Sequence, residues 1–300
     1  MIRKLLIALL LLIVVAAGLF FWGVMKFRNE PIATLESMSR LTLRAYGADR
    51  HEISTSAGKL VYFTVGTGPT VVLVHGANDQ AGLWSRTVAR LRKEYRFVIP
   101  DMPGHGESDP ATGPISFELM LEGLGAVVEA ESGGQPVAIA GNSLGGWLAQ
   151  LYALEHPDRV RALVLENSGG LSLPNYSGPS LMPANREEGR AAFKATIARS
   201  ASIPDYVVDD FVRRAPTSQV ARMAAEPFDR WLLDARLAEL SLPVTLIWGE
   251  KDGILPLDYA QRLAAAIPGA KLRTIPDCGH IPHNECPEEF ARQLSGALGP

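Results

Sequence analysis

Ser143 stands in Gly141-Asn142-Ser143-Leu144-Gly145-Gly146, between an apolar run at 136–140 and a helix-forming segment that begins at Trp147. A serine between glycines in a strand–turn–helix setting is held above the sheet edge, because side chains at the flanking positions would collide with the strand or the helix. The same turn aims the Leu144 backbone N–H at the place where an oxyanion would form. A serine hydroxyl is a poor nucleophile at neutral pH. It needs a base, and the base needs an orienting carboxylate. Taken alone, the six residues also fit a glycine-rich turn whose serine merely caps the helix. The partners decide between the two.

Candidate partners follow two later strand-like runs. After 242–248 comes Gly249-Glu250-Lys251-Asp252, and after 271–276 comes Asp277-Cys278-Gly279-His280. Asp252 is expected to be the acid, with Glu250 as its rival closer to the strand. His280, in a loop after the last strand, is expected to be the base, with His283 as its near neighbour. The other histidines read differently. His105, between two glycines after Asp101, fits a structural role, His156 before Pro157 fits a helix end, and His51 fits a solvated strand. Asp109, Asp258 and Asp277 read as solvated or capping residues.

These residues need a frame to bring them together. Residues 51–54 and 59–66 read as an opening hairpin turned at 56–58. Strand-like and helix-like runs then alternate: 70–75, 83–95, 96–101, 116–131, 136–142 into the elbow and its helix to about Glu155, and 161–166. Alternation of this kind predicts a mostly parallel, doubly wound α/β sheet covered on both faces. It stops over 168–241, where only short helical patterns occur (186–199, 205–214, 217–225). An insertion there lies over the C-terminal strand ends, the side on which such sheets bind ligands. The expected organisation is 1–28 membrane anchor or signal peptide, 29–50 linker or amphipathic lead-in, 51–167 and 242–300 core, and 168–241 helical insertion.

At this point the sequence resembles the α/β-hydrolase superfamily from about Gly58 to the C-terminus. The order Ser143, Asp252, His280 is similar to that family's catalytic triad. His75-Gly76 after 71–74 resembles its oxyanion loop, and Asp101-Met102-Pro103-Gly104-His105-Gly106-Glu107-Ser108 resembles its loop after the next strand. The resemblance implies that Ser143 is the nucleophile, that the backbone N–H groups of Ala77 and Leu144 form the oxyanion hole, and that His75 packs beside it. It also implies that 168–241 is the cap. Relatives with an aspartate nucleophile, the haloalkane dehalogenases and epoxide hydrolases, do not fit Ser143. The stretch Ala77–Trp84 looks more like the membrane-anchored monoacylglycerol lipase-like branch than the glycine- and serine-rich loop of many carbon–carbon bond hydrolases. The expected activity is therefore hydrolysis of lipid-like or medium-chain carboxylic esters. A carbon–carbon hydrolase of vinylogous diketones is the alternative, and a catalytically silent ligand-binding protein comes third. The triad and its backbone donors call for no metal and no organic cofactor.

The N-terminus points to a membrane partner. Residues 5–25 are apolar, long enough at about 1.5 Å per residue to cross a ~30 Å hydrocarbon core. Arg3 and Lys4 precede the run, and Lys26 and Arg28 follow it. An uncleaved signal anchor is favoured over a signal peptide cleaved near Val15-Ala16-Ala17, because the apolar run continues past that site. The leading basic residues favour a cytoplasmic N-terminus and an extracytoplasmic catalytic domain, periplasmic or extracellular. The net charge of −3 gives no reason to expect nucleic acid. The 2 cysteines, Cys278 and Cys286, flank the His280 loop. Unpaired thiols are expected, with a bracing disulfide as the alternative in an exported domain. Asn175-Tyr176-Ser177 matches a glycosylation sequon.

Overall fold

The computed structural model describes residues 2–173, 176, 178–198 and 203–299, with side chains from residue 12 onward except residue 19. The sequon's Asn175 and Ser177 lie outside the described residues. Eight strands form one sheet: β1 (Asp49–Thr55), β2 (Gly58–Gly66), β3 (Thr70–Val74), β4 (Arg96–Pro100), β5 (Val137–Asn142), β6 (Val160–Glu166), β7 (Val244–Gly249) and β8 (Lys271–Ile275). Their order is β1-β2-β4-β3-β5-β6-β7-β8. Only β2 runs against the rest, pairing antiparallel with both β1 and β4, while β4 through β8 pair in parallel. The doubly wound α/β arrangement expected from the alternation is the one that forms.

Two apolar layers sandwich this sheet because side chains alternate faces along a strand. Val72 and Val74 of β3, Ile139 of β5 and Leu163 and Leu165 of β6 face one layer, closed by helices Phe117–Glu131, Leu144–Glu155 and Leu257–Ala266. Val71, Leu73, Ala138, Ala140 and Val164 face the other, closed by helices Ser85–Leu91 and Pro287–Leu298. Each fully buried aliphatic side chain contributes about 1.5–3 kcal/mol, so a charge at Ile139 or Leu73 would break the layer it faces. Helix Phe117–Glu131 starts where the sequence places it, since the Ser116 hydroxyl caps the Leu119 N–H at 3.3 Å.

The order reverses at β3, which pairs with β4 on one side and β5 on the other. Loops leaving β3 and β5 diverge there and open a crevice at the strand ends. Ala77 and Ser143 lie on those two loops. Segment 168–241 contains no strand among its described residues. It forms helices Arg186–Thr196, Asp205–Arg214 and Gln219–Arg222 with short 3-10 turns. Phe193 packs on Phe211 with ring centroids 5.1 Å apart, joining the first two helices. Arg222 bonds the carbonyls of Gly113, Gly104 and Pro110 at 2.7, 2.9 and 2.6 Å, tying the segment to the loop after β4.

The N-terminal helix runs Ile2–Asn29. Within it Leu12–Asn29 is long and apolar enough to cross a membrane, at mean hydropathy 1.4, and none of it is buried. Expected as a linker or an amphipathic lead-in, the stretch 29–50 is mostly helix, Pro31–Ala45. Leu43 is fully buried against the sheet, whereas Leu35, Met38 and Leu41 are exposed. The buried face explains the difference: an amphipathic helix docks where a linker would stay solvated. Segment 168–241 holds its start. Asp210 accepts the Ile32 N–H at 3.0 Å, and Arg213 donates to the Asn29 carbonyl at 2.6 Å.

Candidate active site

Ser143 sits at the C-terminal end of β5 with φ 52° and ψ −115°, a conformation that L residues rarely adopt. The glycines around it make that turn possible. A Cβ on Gly145 would lie 2.3 Å from the Val74 carbonyl oxygen, and one on Gly141 would lie 2.4 Å from the Gly145 oxygen. Helix Leu144–Glu155 begins directly after the serine, so the Leu144 N–H is one of the free donors of a helix N-terminus. The loop after β3 brings Gly76 and Ala77 against the elbow. Ser143, Ala77 and His280 all line one cavity of about 220 Å³.

Asp252 and His280 meet behind that cavity, both buried. His280 Nδ1 lies 2.7 Å from Asp252 Oδ2. An ionised carboxylate can only accept, so Nδ1 carries the proton and Nε2 keeps its lone pair. Three further donors converge on Asp252. The Ile254 and Leu255 N–H groups reach Oδ1 at 2.8 and 3.0 Å, and Asn167 Nδ2 reaches Oδ2 at 2.6 Å. The charge is thereby held in place without a cation. Glu250, the rival acid, instead accepts from the exposed Thr274 hydroxyl at 2.7 Å.

The loop carrying His280 is fixed at several points. The His280 N–H donates to the Thr196 carbonyl at 2.8 Å, and Asn142 Nδ2 donates to the His280 carbonyl at 3.0 Å. Glu285 accepts the Gly279 N–H at 2.8 Å. Cys278 and Cys286 are disulfide-bonded with Cα atoms 6.2 Å apart, which corrects the expectation of unpaired thiols. The turn into helix Pro282–Glu285 folds the chain back and brings the two sulfurs together, a proximity that their spacing in sequence does not reveal.

The remaining histidines separate clearly. His283 is fully buried, bonds Glu166 through Nδ1 at 2.8 Å, and stacks on Trp84 with ring centroids 4.1 Å apart. Burial pulls its pKa down, but the Glu166 charge and hydrogen bond outweigh that and raise it. It pins the helix Pro282–Glu285 to the end of β6 and does not line the Ser143 cavity. His75 accepts the Met102 N–H at Nε2 and lies within bonding distance of its neighbour's carbonyl at Nδ1, 3.0 and 2.8 Å away. Burial, with His105 nearby, lowers its pKa to about 3. Burial likewise lowers His105 to about 4. His51 lies on strand β1, half-buried and 2.9 Å from the Thr64 hydroxyl. His156 ends helix Leu144–Glu155. Asp109 is not simply solvated, since it accepts the Lys59 N–H at 2.9 Å.

Sequence reasoning missed Asn142, Glu166 and Asn167, all polar residues buried at strand ends. Their signal was available in part: a polar residue closing an apolar strand either binds something or is bound. It also passed over Asp79 in the loop after β3. That residue lines the Ser143 cavity and a second one of about 350 Å³, which runs beneath Ile32 and Leu35 of helix Pro31–Ala45. The two share Asn78, Asp79, Leu83, Phe193 and Phe211 as walls.

Residues 71–293 match the model of the alpha/beta hydrolase family. The chain belongs to that family. An uncharacterised protein of Mycobacterium tuberculosis is 30% identical over 256 residues, covering 75% of this hydrolase and 74% of the relative. A 2-hydroxy-6-oxononadienedioate/2-hydroxy-6-oxononatrienedioate hydrolase of Cupriavidus pinatubonensis is 32% identical over 257 residues, 77% of this chain and 86% of that one. Among solved structures, a bacterial membrane phospholipase A described as a virulence factor superposes with TM-score 0.76 at 25% identity, covering 99% of the hydrolase and 98% of that chain. The similarity to the phospholipase thus extends over the N-terminal helices, which lie outside the family match.

Proposed function

We propose that this hydrolase cleaves carboxylic esters with lipid-like or medium-chain acyl groups through an acyl-enzyme on Ser143. The observation that carries the reading is the cavity lined by Ser143 together with the larger one that shares five of its wall residues. Their walls are largely apolar, and among the described lining residues the only lysine or arginine is Arg214, whose guanidinium is bonded to Glu36 at 3.1 Å. Such a space suits an uncharged acyl chain. In the proposed reaction Ser143 Oγ attacks the ester carbonyl as its proton passes to His280 Nε2. The tetrahedral oxyanion is held by the Ala77 and Leu144 N–H groups, and Asp252 stabilises the imidazolium. Collapse expels the alcohol, which takes the proton from His280. Water, deprotonated by the same imidazole, then releases the acid. Segment 168–241 acts as the cap, and the N-terminal helix anchors the enzyme with its catalytic domain outside the cytoplasm. Likeness to the membrane phospholipase supports the anchoring; the side of the membrane follows from the basic residues before the apolar run.

A second reading, carbon–carbon bond hydrolysis, is favoured by the Cupriavidus relative. By its name that relative's substrate is a dioate, and two carboxylates would meet no free cation in the cavities described above. A fluorophosphonate probe followed by an ester series tests the proposal. Labelling at Ser143 that disappears in Ser143→Ala, with turnover of p-nitrophenyl and glycerol esters, is expected. Labelling without ester turnover, together with cleavage of a vinylogous diketone, would establish the second reading. A folded protein that takes no label would be a binding protein.

A further inference from the structure

Asp79 is placed unusually for a carboxylic acid. It lies two residues beyond Ala77, half-buried, in the wall common to the Ser143 cavity and the larger apolar one. Its Oδ1 accepts the Gln80 N–H at 2.8 Å, and among the described residues its other oxygen has no hydrogen-bond partner. The charged and titratable groups around it are His283 and Glu166 behind the wall, Glu36 and its partner Arg214 across the larger cavity, and His280 in the smaller one. His283 is bonded to Glu166 and Arg214 to Glu36, so neither makes a hydrogen bond to Asp79, although His283 is near enough to attract its charge. A carboxyl group in the wall of an apolar space suited to an acyl chain can act as a charge filter. Neutral chains meet a small polar group, whereas a carboxylate meets a like charge in a poorly screened space.

We infer that Asp79 sets the charge selectivity of this site, admitting esters with uncharged acyl chains and rejecting those whose chain carries a carboxylate. The inference rests on the ester reading above and names its substrate class. Burial raises the Asp79 pKa to about 7, against the His283 charge and the Gln80 N–H, which lower it. Rejection should therefore strengthen as pH rises through neutrality and the carboxyl ionises.

The test compares p-nitrophenyl butyrate with mono-p-nitrophenyl succinate, whose free carboxylate is ionised throughout pH 6–8, on the full-length protein in detergent. The readout is the ratio of their kcat/KM values, because any pH effect on the shared acyl-transfer step affects both and cancels. We expect the neutral ester to be favoured more at pH 8 than at pH 6, by about fivefold or more. We expect Asp79→Asn, which keeps shape and loses charge, to lower the pH 8 preference by about tenfold and flatten its pH dependence. An unchanged ratio in Asp79→Asn overturns the inference. If that variant does not fold, Asp79→Ser is read the same way, and an unchanged ratio overturns the inference. Turnover of neither ester defeats the ester reading instead, which is a distinguishable outcome.

Discussion

Four donors converge on Asp252: His280, Asn167 and two backbone N–H groups. That satisfaction lets a carboxylate stay ionised where water is scarce, since hydrogen bonds to a charged group are worth about 1.5–3 kcal/mol each. Asn167 is the side-chain donor besides His280, and its own Oδ1 also accepts the Gly249 N–H at 3.1 Å. On the proposed mechanism Asn167→Ala should lower kcat by about tenfold or more while KM moves little, because it loosens the acid and leaves the acyl cavity untouched. Asp252→Asn should do far more, on the order of a thousandfold or greater, by presenting the wrong imidazole tautomer. Steady-state kinetics on one neutral ester checks both, and equal effects from the two variants would remove Asn167 from a positioning role. The candidate serine, acid and base were nominated by residue type and order, and Asp252 and His280 do meet. Asn167 was not, because an asparagine after a strand carries no chemical signature until its neighbours are known.

Among the elements, the loop between β8 and helix Pro287–Leu298 carries the most consequence. It holds His280, crosses to Thr196 in segment 168–241 and closes on itself through Cys278–Cys286. A bridge across a sequence separation of 8 limits the unfolded chain by about 2.5 kcal/mol. Replacing both cysteines by serine should therefore lower unfolding stability by about 2–3 kcal/mol in urea titrations at pH 7. Thiol-alkylation gels that show both cysteines free in the purified native protein would sink the expectation. The strands were readable from β-rich apolar runs, and helix Asp205–Arg214 matched its predicted bounds. Helix Pro31–Ala45 was read less well, because only docking against the sheet and the cap shows which of its faces is buried.

For the whole molecule, the exposed apolar helix leads into a docked amphipathic helix that reaches the larger cavity. Helix Pro31–Ala45 contributes Ile32 and Leu35 to the larger cavity, so the element that leaves the proposed anchor is also a wall of the proposed acyl space. If helix Ile2–Asn29 spans a bilayer, the full-length protein should remain with membranes through high-salt and carbonate washes and be released by detergent. Recovery of the uncleaved chain in the soluble fraction would remove the anchor.

By itself the sequence determined the alternating α/β architecture, the elbow at Ser143, the order of its candidate partners and the apolar N-terminal run. Each of these is written in local spacing: side-chain alternation, glycines at a close approach, or an unbroken hydrophobic length. Only the tertiary structure decided that Asp252 draws on Asn167, that His283 belongs to Glu166, that the cysteines pair, and that Asp79 stands in a wall shared by two cavities. Those outcomes depend on which residues meet across dozens of positions in the chain, and strand order and loop closure settle that where local pattern cannot.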